Sequence, residues 1–208
     1  MNTTLKLILA SGSPRRAELL QSAGLDFEII VPKIDEAPLP GEAPDAFVCR
    51  TAREKAESIP SANAVILAAD TAVVDGERIL GKPTDAEDAA AMLRSLSDRT
   101  HNVMTGVCLR FPERTACFHI ETHVTFRALS EKEIVDYVAT EEPMDKAGAY
   151  AIQGGAAKMV RKVEGSYSNV VGLPLCEVIE GLNGSAAVRS QKSKSLMSDL
   201  SNGPVFDL

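Results

Sequence analysis

The feature that most constrains the fold is a short apolar run followed at once by a helix start. Residues 5–10 (LKLILA) have the length and composition of a buried strand. Ser13 then occupies an N-cap position and Pro14 the first helical position, where the missing N–H of proline costs nothing. Gly24 predicts the end of this helix. A strand that leads directly into a helix is the building unit of an α/β fold.

Strands and helices alternate along the rest of the chain, with hairpins in the middle. Further strands are predicted at residues 27–31, 64–69, 101–111 and 115–127. Further helices are predicted at residues 45–59, 84–96, 130–138 and 173–182. Thr84 with Glu87 and Ser130 with Glu133 predict capping boxes for two of these helices. The glycine-rich residues 145–172 are expected to be mostly loop.

One domain is expected over residues 1–183, followed by a polar, flexible tail over residues 184–208. The 208 residues are 45% hydrophobic and 25% charged, which is an ordinary globular balance. Six serines and little periodicity among residues 183–208 set the tail apart.

Charge and hydropathy exclude several classes of partner. The net charge of −7 argues against binding to nucleic acid or to an anionic membrane. No run approaches the 18 or more apolar residues of a membrane span, and the apolar run at residues 5–10 is too short for a signal peptide. The four cysteines fit no zinc motif and are expected to be reduced thiols, so a cytoplasmic protein is predicted.

The turn between the first strand and the first helix is a candidate phosphate site. Residues 11–16 (SGSPRR) place two hydroxyls, Ser11 and Ser13, beside two guanidinium groups, Arg15 and Arg16. Free backbone N–H groups at a helix start attract anions, and arginine suits bidentate phosphate contacts. The same residues also fit a capped helix with solvated arginines.

Several acidic and basic residues are candidates for the chemistry itself. Asp70 and Thr71 are predicted at the end of an apolar strand, where open α/β folds place catalytic groups. Such a carboxylate can accept a proton or hold a metal. Glu36 lies in a loop and offers oxygen to Mg²⁺. Lys55 is predicted on a helix and Lys82 between a glycine and a proline, and both also fit solvated surface positions.

Gln153 is the candidate for reading a nucleobase. It lies in residues 145–154 (DKAGAYAIQG), a segment of small residues that lets a ligand approach the backbone. Its amide carries both a donor and an acceptor, so it can pair with a base edge. A structural glycine-rich turn is the alternative for this segment.

Taken together, these segments resemble one family. In chain order they are SGSPRR at 11–16, DE at 35–36, AADT at 68–71, GKP at 81–83, DKAG at 145–148 and GSYSNVVGLP at 165–174. The set strongly resembles the Maf family of nucleoside triphosphate pyrophosphatases over about residues 5–182. The resemblance implies a metal-dependent hydrolase that releases a monophosphate and pyrophosphate. It also implies an α/β fold with a long, bent mixed sheet flanked by helices and a central cleft between two lobes, similar to the inosine triphosphate pyrophosphatases.

The resemblance also assigns roles to residues. Asp70 matches the family's proton acceptor. Positions that match its cleft residues are Ser11, Arg16, Glu36, Lys55 and Lys82. Arg15, Thr71 and Gln153 match positions that set base specificity in the branch acting on dTTP and UTP. Residues 150–154 (YAIQG) resemble that branch, so dTTP, UTP and modified pyrimidine triphosphates are the expected substrates.

The residue chemistry is compatible with this activity. A triphosphate carries about four negative charges, which phosphoryl transfer must neutralise in place. Arg15, Arg16, Lys55 and Lys82, with one Mg²⁺ or Mn²⁺, could do so. Asp70 would activate a water for attack on the α-phosphorus, and Glu36, with Asp70, would hold the metal. Which carboxylate is mainly base and which mainly ligand stays open.

Two alternatives are kept. The first retains the fold and mechanism but takes 7-methyl-GTP or another modified nucleotide as substrate. The second is a non-catalytic, nucleotide-sensing regulator of septum formation and cell division. A homodimer is expected from base rates and from the resemblance.

Overall fold

The protein is built on one mixed sheet. The computed structural model describes residues 5–60 and 63–183, and in that part of the chain seven strands form the sheet. The strands are β1 (Lys6–Ala10), β2 (Glu28–Ile29), β3 (Ala64–Asp75), β4 (Arg78–Leu80), β5 (Thr100–Arg110), β6 (Thr115–Phe126) and β7 (Val160–Glu164). The helices are α1 (Pro14–Ser22), α2 (Pro44–Glu57), α3 (Ala86–Leu96), α4 (Glu131–Val138), α5 (Tyr167–Val171) and α6 (Leu175–Leu182). The predicted tail, residues 184–208, lies outside the described residues.

The strand pairings confirm the predicted α/β class with a mixed sheet. The order is β2-β1-β3-β5-β6-β7, and β4 pairs with β3. β1 is parallel to β2 and β3, whereas the pairs β3–β5, β5–β6 and β6–β7 are antiparallel. The predicted antiparallel pair at residues 101–111 and 115–127 is therefore confirmed as β5 and β6. Among the described residues, no helix combines the length and apolar character needed to cross a membrane.

The prediction that a strand ends just before Asp70 is wrong. β3 runs on to Asp75, because its antiparallel partner β5 continues to bond it as far as the pair Val74 and Asn102. Parallel pairing with β1 does end early, at Ala10 and Ala68. Asp70 therefore lies inside β3 but two residues beyond the end of β1, at the point where the chain turns from β1 into α1.

Helix starts follow the predicted capping rules with one shift. Ser13 is the N-cap of α1 with Pro14 after it, and Gly24 follows the helix with φ +72°. The capping box of Ser130 and Glu133 on α4 is confirmed. The N-cap of α3 is Asp85 rather than Thr84, because the Asp85 carboxylate accepts from the backbone N–H three residues on.

Two other segments differ from the sequence prediction. β2 spans two residues instead of the five predicted, since its pairing with β1 stops there. Residues 145–172 contain more regular structure than the predicted loop. They include β7, α5, two 3₁₀ turns (Ala147–Ala149 and Gly155–Met159) and the end of a third (Glu142–Asp145). β7 forms because Val163 pairs with Val124 of β6, which is a tertiary contact that local composition does not reveal.

Helices cover both faces of the sheet. On one face, Leu20 of α1 and Val178 of α6 pack in a cluster with Leu67 of β3. On the other face, Ala52 of α2 packs in a cluster with Ala68 of β3. Because side chains alternate along a strand, Asp70 shares the face of Ala68 and lies beneath α2.

Candidate active site

All ten predicted site residues line a single cleft. Its volume is about 870 Å³. The residues are Ser11, Ser13, Arg15, Arg16, Glu36, Lys55, Asp70, Thr71, Lys82 and Gln153. They come from the β1–α1 turn, the start of α1, the loop before α2, α2 itself, β3, the segment after β4 and the 3₁₀ region. The fold therefore gathers groups that are far apart in the chain.

A lysine bridging two carboxylates forms the acidic part of the cleft. Lys55 Nζ donates to Asp70 Oδ1 at 2.7 Å and to Glu36 Oε2 at 2.8 Å. The side chains of Lys55 and Asp70 are only 6% and 10% exposed, whereas that of Glu36 is 51% exposed. Two carboxylates therefore stand beside one ammonium group, with Asp70 at the buried end and Glu36 at the open end.

Glycine in β5 permits this arrangement. Gly106 is opposite Asp70 across the β3–β5 pair. A Cβ atom at position 106 would lie 2.2 Å from the carbonyl oxygen of Val48 in α2. Because glycine has no side chain, α2 can lie directly on β5, which brings Lys55 within hydrogen-bond distance of Asp70.

Arg16 connects three separate parts of the cleft floor. Its Nε donates to the carbonyl oxygen of Gly172 at 2.8 Å, its Nη1 to Ser11 Oγ at 3.1 Å and its Nη2 to Thr71 Oγ1 at 3.1 Å. Burial lowers the pKa of Arg16, and the charges of Asp70 and Glu36 partly counteract this effect. An arginine stays charged in proteins even so, and here its cation faces neutral acceptors.

The start of α1 supplies polar groups to the cleft. Ser11 Oγ accepts from the backbone N–H of Ser13 at 3.1 Å. The Ser13 side chain makes no capping hydrogen bond, although Ser13 is the N-cap residue. The Arg15 side chain is 31% exposed and lies 4.0 Å from an Asp145 oxygen. This turn therefore has the cation and the helix N-terminus expected of an anion site.

Lys82 and Gln153 are exposed residues of the cleft wall. Tyr150, three residues before Gln153, anchors this segment to β5, because its hydroxyl oxygen lies 2.8 Å from Nε2 of His101. Burial lowers the pKa of His101 to about 4, so this ring is neutral near pH 7. His101 and Tyr150 are 49 residues apart in the sequence, so their contact depends on the fold.

Sequence reasoning did not single out two residues beneath the cleft. Thr105 of β5 lies with its hydroxyl 2.9 Å from Thr71 Oγ1 and donates to the carbonyl oxygen of Asn169. The buried Asn169 amide donates to the carbonyl oxygen of Val103 and to Thr122 Oγ1. In the sequence analysis, Asn169 was included only as one position of the segment GSYSNVVGLP at residues 165–174.

The donor set is compatible with a hard divalent cation. Glu36 and Asp70 offer carboxylate oxygens, and Mg²⁺ is commonly held by one or two carboxylates together with substrate phosphates. The described residues contain no group of three or more His, Cys, Asp or Glu side chains that could hold a metal alone. Glu36 and Asp70 are the residues that would hold such a metal, with phosphate oxygens of a ligand as further donors.

Comparison with known proteins decides the family. The family model described as "Maf-like protein" matches residues 6–185. The chain belongs to the Maf family. The predicted resemblance over residues 5–182 is therefore confirmed.

Several Maf relatives are similar over nearly their whole length. The dTTP/UTP pyrophosphatase of Geobacter sulfurreducens is 52% identical over 181 residues, covering 85% of this chain and 95% of the relative. The dTTP/UTP pyrophosphatase of Escherichia coli is 49% identical over 191 residues, covering 90% and 97%. Among solved structures, a HAM1 protein from Coxiella burnetii matches 87% of this chain and 100% of its own, with 15% identity and a TM-score of 0.46.

Proposed function

We propose that this Maf protein is a nucleoside triphosphate pyrophosphatase that hydrolyses dTTP, UTP and modified pyrimidine triphosphates to the monophosphate and pyrophosphate. The observation that carries the proposal is the buried Asp70–Lys55 pair in a cleft with four further cationic side chains, those of Arg15, Arg16, Lys82 and Lys146. Relatives at about half identity that are named dTTP/UTP pyrophosphatase support the substrate class.

The cleft's cations suit a triphosphate. Arg15, Arg16, Lys55 and Lys82 all line it, although the whole chain carries a net charge of −7. A triphosphate brings about four negative charges, which would be distributed over these groups. The Ser13 hydroxyl and the backbone N–H groups at the start of α1 would bind phosphate oxygens.

Asp70 is the proposed base. Its carboxylate would accept a proton from a water molecule as the water oxygen attacks the α-phosphorus. The bond between the α-phosphorus and the bridging oxygen would then break, and pyrophosphate would leave. Lys55 would hold the Asp70 carboxylate in place by the hydrogen bond seen at 2.7 Å.

Mg²⁺ or Mn²⁺ is the proposed cofactor, held by Glu36 together with Asp70. When bound, it would neutralise phosphate charge and polarise the phosphoryl oxygens. Glu36 Oε2 accepts a hydrogen bond from Lys55, and the 51% exposure of the Glu36 side chain would let its carboxylate reach a metal in the open part of the cleft.

Base recognition is proposed for Gln153, with Arg15 beside the ligand. The Gln153 amide can pair with both the carbonyl oxygen and the imide N–H of thymine or uracil. Thr71 would act through Arg16, because its hydroxyl already accepts a hydrogen bond from that guanidinium group.

The test is a substrate panel with product identification. Purified protein is incubated with Mg²⁺ or Mn²⁺ and dTTP, UTP, CTP, GTP, ITP, 5-methyl-UTP or 7-methyl-GTP, and pyrophosphate is distinguished from single phosphate. We expect pyrophosphate from dTTP and UTP. Release only from 7-methyl-GTP or ITP would favour the first alternative, and no release by folded protein with bound nucleotide would favour the regulatory one.

Asp70→Asn tests the base within the same assay. Turnover should fall by at least about a hundredfold, the usual scale of a lost general base, while nucleotide binding survives. Asp136→Asn is the matched control, because Asp136 also pairs with a lysine, Lys132, but on an exposed face of α4. A loss of binding with normal turnover per bound nucleotide would contradict the assignment.

Three further predictions accompany the proposal. Residues 1–183 form the pyrophosphatase domain, the protein is cytoplasmic, and it assembles as a homodimer. The oligomeric state can be measured by light scattering after size-exclusion chromatography.

A further inference from the structure

Two cysteines face each other across the β5–β6 pair, away from the groups of the proposed reaction. Cys108 and Cys117 are directly opposite in register, and their Sγ atoms lie 2.6 Å apart. Opposed residues of antiparallel strands have Cα atoms about 4.5–5.5 Å apart. A disulfide usually spans Cα distances of about 4.4–6.8 Å, so one could form here without backbone movement. In the structure all four cysteines are free thiols.

The pair lies under α2, one row along the sheet from the cleft. Ala68, Cys108 and Cys117 form one cross-strand row, and Asp70, Gly106 and His119 form the next on the same face. The rows are separated by two residues, or about 7 Å. Cys108 is fully buried, in the cluster that includes Ala52 and Ala56 of α2. Cys117 is only partly buried, so it is the more accessible residue of the pair.

The surroundings make the two thiols unequal. The hydrogen bond between the two sulfurs and the nearby Arg53 lower the pKa of Cys117, whereas the same hydrogen bond and burial raise the pKa of Cys108. Cys49 of α2 differs from Cys117 in reactivity, because burial raises the pKa of the Cys49 thiol to about 11. Since thiolates are the reactive form, Cys117 is the expected nucleophile and Cys108 the resolving partner.

We propose that Cys108 and Cys117 form a peroxide-sensitive dithiol that closes reversibly to a cross-strand disulfide. The Cys117 sulfur attacks one oxygen of hydrogen peroxide, the O–O bond breaks, and a sulfenic acid and one water result. The Cys108 sulfur then attacks the Cys117 sulfur, the S–O bond breaks, and a second water leaves with the proton from Cys108. Two thiols are thereby oxidised by two electrons and one peroxide is reduced to two waters. This proposal is independent of the nucleotide chemistry.

The test uses a variant that keeps only the pair. Cys49→Ser/Cys176→Ser protein is reduced, treated with stoichiometric hydrogen peroxide and analysed by intact mass and peptide mapping. We expect a mass loss of two hydrogen atoms, a peptide linking positions 108 and 117, and recovery of both thiols with dithiothreitol. Both thiols remaining free, or oxygen added to single cysteines without a linked peptide, would overturn the proposal.

Single substitutions separate the two roles. In Cys108→Ser, the reaction should stop at a sulfenic acid on Cys117 that dimedone traps, whereas in Cys117→Ser Cys108 should react with neither reagent. Circular dichroism checks that each variant is folded. If a variant does not fold, peptide mapping of the oxidised natural sequence decides, and a link between Cys49 and Cys117 instead would contradict the proposed pair.

Discussion

Lys55 Nζ lies 2.7 Å from Asp70 Oδ1, and the two side chains are only 6% and 10% exposed. A charge pair this deeply buried stabilises the fold only while both partners are present, because either one alone is a desolvated charge. The Lys55 ammonium group therefore stabilises the fold in addition to its proposed role beside the phosphates.

Lys55→Met should lower both stability and turnover. Removing the ammonium group leaves the Asp70 carboxylate buried without its partner, which typically costs about 3–5 kcal/mol. Urea denaturation measures the change, and the double variant Lys55→Met/Asp70→Asn should regain much of the loss. Lys132→Met is the matched control, since that lysine also pairs with an aspartate but is 82% exposed. Equal losses in the two single variants would contradict the buried-pair interpretation.

Gly106→Ala should destabilise the protein by displacing α2. The added Cβ would overlap the Val48 carbonyl oxygen, and overpacking of this kind typically costs about 1–3 kcal/mol. Turnover should fall as well, because α2 carries Lys55. Gly81→Ala is the control for stability, since a Cβ there meets nothing within 4 Å. Thermal denaturation compares the two variants, and an unchanged midpoint for Gly106→Ala would show that α2 shifts freely.

Gln153→Glu should weaken the use of dTTP and UTP selectively. An ionised carboxylate has no donor for a pyrimidine carbonyl, so kcat/KM for these two nucleotides should fall about tenfold or more. Gln21→Glu makes the same chemical change at an exposed position of α1 that does not line the cleft. Steady-state assays with each base provide the measurement. An equal loss for all bases would make Gln153 a structural residue.

Acidification should destabilise the fold through His101. Burial lowers the pKa of this ring from 6.5 to about 4, so the unfolded chain binds its proton first as pH falls. The contribution of His101 to the free energy of unfolding is constant above about pH 6.5 and declines as the pH falls towards 4. At pH 4 the loss of stability amounts to about 3 kcal/mol. Across this pH range, the natural sequence should take up about one more proton on unfolding than His101→Gln. In urea denaturation this appears as a steeper dependence of the free energy of unfolding on pH. The same slope in both proteins would mean that His101 titrates normally.

Local signals predicted the elements whose causes are local. Pro14 after Ser13, the capping box of Ser130 and Glu133, and Gly24 at the end of α1 each act within one turn of helix. Local signals could not decide between Thr84 and Asp85 as the N-cap of α3, because both side chains offer an oxygen. The structure distinguishes them, because the Asp88 N–H donates to the Asp85 carboxylate, whereas the Thr84 hydroxyl donates to Asp88 Oδ2.

The larger differences between the predicted and the observed strands are due to pairing with strands that are distant in the sequence. β3 continues past Asp70 because β5 lies beside it, and β7 forms because β6 offers an edge. The site residues were identified by chemistry and by resemblance to a family, whereas their convergence in one cleft needed the fold. The second role of Thr71, as an acceptor for Arg16, could not be predicted from residues that lie 55 positions apart.

The contact between Arg16 and Gly172 has a consequence for how the protein is made. The two residues are 156 positions apart, and the chain leaves the ribosome from its N-terminus. Arg16 therefore emerges well before its carbonyl acceptor exists outside the exit tunnel. A nascent chain that has not yet released α5 cannot complete the floor of the cleft, so any reaction that needs this floor can begin only after Gly172 has emerged.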